Sequence, residues 1–169
     1  MSRSTSSVRS PAIAMISAML MEVIVLPSDA VALVNRIARG ERGVSNILVG
    51  EGDWRPFVLD VAVPNLHFIP SGPISPNPAE LIASERMRKL IREWTEAYDR
   101  VIIDTAPIAA VTDPVLLSRL VDGTVILIHA GVTSRHIIAS AVRQIRDVQG
   151  RVLGAVLNDV DTHNGGYYY

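Results

Sequence analysis

An apolar run that ends in a carboxylate constrains the fold of this chain more than any other stretch. Val101, Ile102 and Ile103 are consecutive β-branched residues, and Asp104 follows them directly. Such a run is typical of a strand buried on both faces, and strands of this kind belong to parallel sheets covered by helices. The sequence therefore predicts an α/β fold in which Asp104 ends a parallel strand.

Asp104 is the first candidate functional residue because of this position. Open α/β sheets bind their ligands at the carboxyl ends of the strands, where a carboxylate can reach a phosphate-bound Mg²⁺ directly or through water. The alternative is that Asp104 only caps the following turn. The apolar run with its aspartate leaves both interpretations open.

Composition limits the class of protein. A chain of 169 residues is long enough for one domain with a real core. Its content of 49% hydrophobic and 5% aromatic residues suits an aliphatic α/β core. The net charge of −1 gives no indication of nucleic-acid binding, and the absence of cysteine excludes disulfides and thiolate metal sites. The histidines show no metal-ligand spacing, which favours core or surface roles: His67, His129, His136 and His163.

Strands alternate with helices along most of the chain, which predicts right-handed crossovers and a parallel sheet. Thr112 is a candidate capping residue, with Pro114 inside the first turn of its helix. The other elements are predicted from apolar periodicity. Strands are expected at residues 66–69, 124–129 and 152–157, and helices at 28–39, 79–97, 112–120 and 135–149, with a short helix and a loop within 44–63.

The N-terminal residues form an atypical segment. Residues 1–10 are rich in serine and arginine and are expected to be disordered. Residues 11–27 are mostly apolar, but Glu22 interrupts a run that is otherwise too short for a membrane span. A helix, or a strand at residues 23–26, packed on the domain is therefore favoured over a signal peptide or membrane anchor.

Several motifs, in order, resemble the catalytic domain of bacterial tyrosine autokinases, the P-loop proteins that control capsule and exopolysaccharide export. The matching segments cover about 100 residues, and the resemblance extends back to about residue 43. The motifs are Asn-Pro-Ala-Glu-Leu-Ile at 77–82, Tyr-Asp-Arg-Val-Ile-Ile-Asp-Thr-Ala-Pro at 98–107, Val-Leu-Gly-Ala-Val-Leu-Asn at 152–158, and the terminal Tyr167, Tyr168 and Tyr169.

The resemblance implies a P-loop NTPase-like fold and Mg·ATP as cofactor. It implies that Asp104 is the catalytic, Mg²⁺-associated carboxylate and that the side chain of Asn158 contacts the adenine. It places Asp113 in a Thr-Asp box that orients the nucleotide site. Turn capping by Asn158 and helix capping by Asp113 remain open as alternatives. The three terminal tyrosines, on a flexible tail, correspond to phosphoacceptors modified in trans.

The phosphate-binding loop of that family is missing from this sequence. Such a loop needs glycines whose amides surround the phosphates and a lysine that neutralises them. The single lysine, Lys89, has no Gly-x-x-x-x-Gly before it, and the family's second acidic motif is absent, with Asp29 standing alone. We therefore expect an incomplete kinase domain, truncated and inactive alone, divided into an atypical segment at 1–42, an α/β domain at 43–162 and a tail at 163–169.

Partners follow from the same resemblance. It implies a membrane polysaccharide copolymerase or chain-length regulator, together with a homo-oligomer or a homologous kinase, at the cytoplasmic side of a membrane. Two competing hypotheses are a non-catalytic interaction module that accepts phosphate, and an ATPase of the partitioning or cell-division type. Missing strands would leave sheet edges and apolar faces exposed, which predicts low solubility or association.

Overall fold

The computed structural model describes residues 13–18, 42–50, 52–60 and 63–160. The chain divides into two compact units, Met1–Ala106 and Pro107–Tyr169, and each unit is described by itself. Within the described residues, no helix is both long enough and apolar enough to cross a bilayer. The predicted helix at residues 28–39, the proposed strand at 23–26 and the three terminal tyrosines lie outside the described residues.

The first unit contains a four-stranded sheet in the order β2-β3-β1-β4. Strand β1 is parallel to both β3 and β4, whereas β2 is antiparallel to β3. The carboxyl ends of the three parallel strands consequently lie at one edge of the sheet, as the sequence predicted. The strands are β1 (Ile13–Ala18), β2 (Leu59–Asp60), β3 (Leu66–Ile69) and β4 (Arg100–Thr105).

The helices of this unit are α1 (Val44–Val49), a 3₁₀ turn (Arg55–Phe57), α2 (Pro78–Ala83) and α3 (Glu85–Ala97). The prediction of one helix over residues 79–97 was wrong. Ser84 has extended backbone angles, with φ −69° and ψ 153°, and its hydroxyl accepts a hydrogen bond from the backbone N–H of Met87 at 3.2 Å. Ser84 therefore ends one helix and caps the next.

The core of the first unit is built on one face of α3. This face buries its apolar side chains, and the helix packs against β4 and α2. Each such burial stabilises the fold by roughly 1.5–3 kcal/mol. The α3 residues concerned are Met87, Leu90, Ile91 and Trp94. Ion pairs of Arg88 with Glu85 and of Lys89 with Glu93 lie on exposed parts of the helix.

The second unit consists of α4 (Asp113–Ser118), β5 (Thr124–His129), α5 (Arg135–Asp147) and β6 (Val152–Asn158). Strands β5 and β6 are parallel and form a two-stranded sheet. Helix α5 ends two residues before the predicted position because Gln149 adopts a left-handed φ of 64° and the N–H of Gly150 returns to the carbonyl of Ile145 at 2.8 Å.

Two further expectations are corrected by the structure. Thr112 makes no capping hydrogen bond, because its own backbone is already helical at φ −87° and ψ −12°. Strand β4 is not buried on both faces, since Ile102 is 45% exposed. Among the described strands β4 has one neighbour, β1, and it therefore lies at a sheet edge. The proposed effect on solubility remains a prediction.

Candidate functional site

Asp104 lies one residue before the end of β4, in register with Ser17 of β1. Burial raises the pKa of the Asp104 carboxyl above its usual value, and a hydrogen bond from the backbone N–H of Thr105 partly opposes that rise. A partly desolvated carboxylate gains from a nearby cation, which restores the favourable interaction that water no longer supplies. The location and electrostatics of Asp104 therefore suit a group that associates with a metal ion.

The loop after β3 reaches the same sheet edge, and helix α1 begins on it. The backbone N–H groups of Val44 and Ser45 donate to the carbonyls of Pro70 and Ser71, each at 2.9 Å. A Cβ at Gly43 would come within 2.0 Å of the Pro70 carbonyl oxygen, so glycine is needed for this close approach. These amides are satisfied within the protein, which leaves them unable to surround a phosphate.

Asn158 is the last residue of β6, and its carbonyl accepts a hydrogen bond from the N–H of Ala130 at 2.9 Å. Its side-chain amide is partly buried and forms no hydrogen bond with the described residues. Both the donor and the acceptor of that amide remain available for a ligand. The alternative in which the side chain caps a turn has no hydrogen bond to support it.

Asp113 occupies the first turn of α4 and is only 8% exposed. A carboxylate in that position interacts favourably with the helix dipole. Asp113 and Asn158 belong to the second unit and Asp104 to the first. The structural contribution of Asp113 to α4 is therefore clear from its position, while its part in a nucleotide site remains a prediction.

Sequence reasoning missed a hydrogen-bonded histidine–aspartate pair next to Asn158. Nε2 of His129, at the end of β5, lies 2.8 Å from Oδ2 of Asp159. The available signal was that each residue stands where an apolar strand ends, because such ends meet at one edge when the strands are parallel neighbours. Among the described residues, no group of three or more acidic or histidine side chains is arranged to hold a metal ion.

Comparison with known proteins identifies the relatives of this chain. No family model matches it. The tyrosine-protein kinase YwqD of Bacillus subtilis is 36% identical over 129 residues, which cover 75% of this chain and 54% of the relative. The tyrosine-protein kinase CpsD of Streptococcus agalactiae is 32% identical over 120 residues, which cover 71% of this chain and 52% of the relative. This chain is a homologue of the bacterial tyrosine-protein kinases.

Solved structures of tyrosine kinase domains have the same fold. The kinase domain of VpsO matches with a TM-score of 0.75 and 26% identity, covering 88% of this chain and 70% of that one. The kinase domain of Escherichia coli ETK matches with a TM-score of 0.77 and 25% identity, covering 94% of this chain and 60% of that one. A ParA family ATPase from Chlorobium tepidum, at 18% identity and a TM-score of 0.62, shares the fold alone. The predicted P-loop NTPase-like α/β class is confirmed.

This tyrosine-kinase homologue spans about half the length of the curated relatives it matches. Its single lysine, Lys89, is 71% exposed and lies 3.7 Å from Glu93 on the surface of α3. That lysine is therefore engaged in a helical ion pair of the ordinary i, i+4 kind. The described residues supply a candidate metal-associated carboxylate and a free amide, but no lysine-bearing phosphate loop.

Proposed function

We propose that this chain is the acceptor-bearing part of a tyrosine-protein kinase that regulates capsule or exopolysaccharide synthesis and export. The observation that carries the proposal is Asp104, a partly buried carboxylate at the carboxyl edge of a parallel sheet, in a homologue of tyrosine-protein kinases. The substrate groups are the phenols of Tyr167, Tyr168 and Tyr169. Their phosphoryl donor is Mg·ATP.

By resemblance to the tyrosine-protein kinases, each unit of this chain carries residues that correspond to contacts of Mg·ATP. Asp104 would hold the Mg²⁺, directly or through water, because hard cations prefer carboxylate oxygens. The free carboxamide of Asn158 would contact the adenine, and Asp113 would help to orient the site. When bound, Mg·ATP supplies an electrophilic γ-phosphoryl group whose negative charge is neutralised by the metal ion.

The part of the chain that the structure describes offers no binding loop for the phosphates, and the sequence has no Gly-x-x-x-x-Gly before its single lysine. The amides at the start of α1 are hydrogen-bonded internally, and Lys89 pairs with Glu93. Phosphoryl transfer depends almost entirely on positioning and charge stabilisation, so an enzyme without these groups transfers phosphate poorly. We therefore propose that the chain is inactive alone and that a competent homologous kinase modifies its tyrosines in trans.

The proposed partners are that kinase, further copies of the chain, and a membrane polysaccharide copolymerase at the cytoplasmic face. Each phosphate would add roughly −1.5 to −2 charges to the tail. Three adjacent phosphotyrosines would repel a neighbouring subunit and loosen its contact. Phosphorylation would in this way regulate assembly with the copolymerase.

A labelling experiment tests the acceptor function. The chain is incubated with radiolabelled Mg·ATP, alone and with the catalytically competent B. subtilis YwqD kinase. We expect label only with the kinase, and we expect it to disappear in the triple variant Tyr167→Phe, Tyr168→Phe, Tyr169→Phe. The matched control is Tyr98→Phe, which changes the remaining tyrosine and should label normally. An unlabelled wild-type tail would refute the acceptor function.

Calorimetric titration with Mg·ADP tests the nucleotide site separately. Micromolar binding that Asp104→Asn and Asn158→Ala each weaken would support a working site formed without the phosphate loop. A folded wild-type chain that binds no Mg·ADP would exclude that site. Together with positive labelling, it would favour the non-catalytic phosphoacceptor hypothesis.

A further inference from the structure

The exposed face of α5 carries three arginines on one side of the helix. At about 100° per residue, Arg135, Arg143 and Arg146 fall within about 80° of one another around the helix axis. All three are exposed, whereas Ala141 and Ile145 on the other side of α5 are buried. We call these three arginines the α5 basic stripe.

The positive charge of this stripe is not compensated within the described part of the chain. None of its arginines forms an ion pair there, and the one acidic residue of the helix, Asp147, is likewise without an ion pair. Helix α3 shows the usual alternative, because its Arg88 and Lys89 are paired with Glu85 and Glu93. The two long helices therefore differ in how their exposed charges are balanced.

Solvation alone does not account for the composition of the stripe. Arg143 and Arg146 are three positions apart, a spacing at which like charges repel and opposite charges stabilise a helix. The planar guanidinium group of arginine donates two parallel hydrogen bonds, whose geometry matches the oxygens of a phosphate group. An exposed row of such groups fits a ligand that carries several phosphates.

The C-terminal tail leaves the second unit at the sheet edge where α5 begins. Strands β5 and β6 are parallel, and the N–H of Ala130 donates to the carbonyl of Asn158 at 2.9 Å. Helix α5 starts five residues after Ala130 and packs against β6. Tyr167 lies seven positions after Val160, a length of chain that can span up to about 25 Å. The stripe is about 17 Å long, so the tyrosines can reach it within one chain.

We propose that the α5 basic stripe is the docking site for the phosphorylated C-terminal tail of the same chain. The occupant is the group Tyr167, Tyr168 and Tyr169, and the inference rests on the proposed function, in which these tyrosines accept phosphate. Each phosphate brings roughly −1.5 to −2 charges and three acceptor oxygens for the guanidinium groups. Docking holds the modified tail on its own subunit and away from the kinase that modified it.

Tethering makes a modest contact sufficient for this docking. A segment joined by a short flexible linker has an effective concentration on the order of 1 mM at its site. A free phosphopeptide with a Kd of about 100 μM would therefore correspond to about 90% occupancy in the intact chain. The unmodified tyrosines carry no charge at neutral pH, so phosphorylation switches the contact on.

Fluorescence anisotropy measures the contact without any kinase. The probe is a fluorescein-labelled peptide of residues 163–169 with all three tyrosines phosphorylated, titrated with the unmodified full-length chain at ~50 mM salt. We expect a Kd of about 100 μM, and binding weaker by about tenfold or more for the unphosphorylated peptide. The double variant Arg143→Gln, Arg146→Gln should weaken binding of the phosphopeptide by about tenfold or more.

The matched control removes two positive charges with the same spacing from α3. The double variant Lys89→Gln, Arg92→Gln should bind the phosphopeptide within about twofold of wild type. Equal weakening in this control would overturn the proposal, as would equal binding of the unphosphorylated peptide or no binding of the phosphopeptide to wild type. Phosphatidylserine vesicles test an anionic membrane as the occupant. If the α5 variant loses vesicle binding and keeps phosphopeptide binding, the proposal is wrong.

The intact chain provides a second readout that needs no substitution. After phosphorylation by YwqD, the NMR signals of the Nε–H groups of Arg143 and Arg146 should shift, while that of Arg92 on α3 should not. The shifts should be independent of protein concentration; shifts that grow with concentration would overturn docking within one chain. A tail that YwqD does not label would refute the proposed function instead, and the phosphopeptide titration alone would then decide whether the stripe binds phosphotyrosine.

Discussion

Replacing Tyr98 with phenylalanine should remove one long-range side-chain hydrogen bond of the first unit. Tyr98 follows α3, and its hydroxyl is hydrogen-bonded to Nδ1 of His67 on β3 at 3.0 Å. Its ring packs edge-on against His67, with centroids 5.4 Å apart, and against Trp54 at 5.9 Å. The substitution keeps the ring contacts and deletes only the hydroxyl.

The expected cost at pH 7 is that of one partly buried hydrogen bond. Such a bond contributes a net ~0.5–1.5 kcal/mol, and its loss should lower the melting temperature of a chain of this size by about 1–6 °C. The His67→Ala and Tyr98→Phe double-mutant cycle should assign most of this energy to the pair. Both tryptophans, Trp54 and Trp94, lie in the first unit, so their fluorescence during urea unfolding reports that unit.

The difference in stability between wild type and Tyr98→Phe should depend on pH in a defined direction. Burial is the main cause that raises the pKa of the Tyr98 phenol, and the negative charge of Asp60 raises it further. The positive charge of Arg55 acts in the opposite direction. A raised folded-state pKa means that the stabilisation is fully present below the ordinary tyrosine pKa of about 10 and is lost as pH rises through the folded value. The stability gap between wild type and Tyr98→Phe should therefore close above pH 10. A gap that is absent at pH 7, or that widens at alkaline pH, would refute this account.

Two other substitutions follow from the geometry. Asp104→Asn should raise the urea midpoint of the first unit at pH 7, because burial raises the pKa of Asp104 and disfavours its charged form in the folded state. The gain in urea midpoint should vanish below pH ~4, where the carboxyl is protonated in the unfolded state as well. Arg86→Ala should lower stability by about 1.5–3 kcal/mol, since the guanidinium donates to the carbonyls of Ile47 at 2.6 Å and Gly52 at 3.3 Å. Arg86→Lys should recover only part of that loss, because an ammonium group cannot donate to both carbonyls as the planar guanidinium does. Full recovery by Arg86→Lys would contradict this expectation. An unchanged urea midpoint for Asp104→Asn would contradict the first.

Strand ends were the most predictable part of this molecule. Apolar runs located β4, β5 and β6, and the sequence placed Asp104 and Asn158 at the ends of their strands. Asp104 and Asn158 lie within one residue of the ends of their strands for this reason. The prediction succeeded because a polar residue that interrupts an apolar run marks where a buried strand ends.

Local breaks in helices were harder to predict, because competing signals coincide there. The apolar stripe of residues 79–97 continues through Ser84, and periodicity alone therefore favours one helix. The hydroxyl of Ser84 instead accepts a hydrogen bond from the N–H of Met87, and a new helix begins there. At Thr112 the opposite happened: a good capping residue took a helical conformation and left its side chain unused. A side-chain hydrogen bond decided the case of Ser84, and the backbone conformation decided that of Thr112.

Contacts between strand ends required knowledge of strand order, which no local pattern contains. His129 and Asp159 are thirty positions apart and are brought together only because β5 and β6 are neighbours in register. The carboxamide of Asn158, between these two residues in the register, forms no hydrogen bond with the described residues. A partly exposed amide without an internal hydrogen bond keeps its donor and its acceptor for solvent or a ligand. This availability at the end of β6, more than the identity of Asn158 alone, is the structural reason for proposing a ligand at this edge.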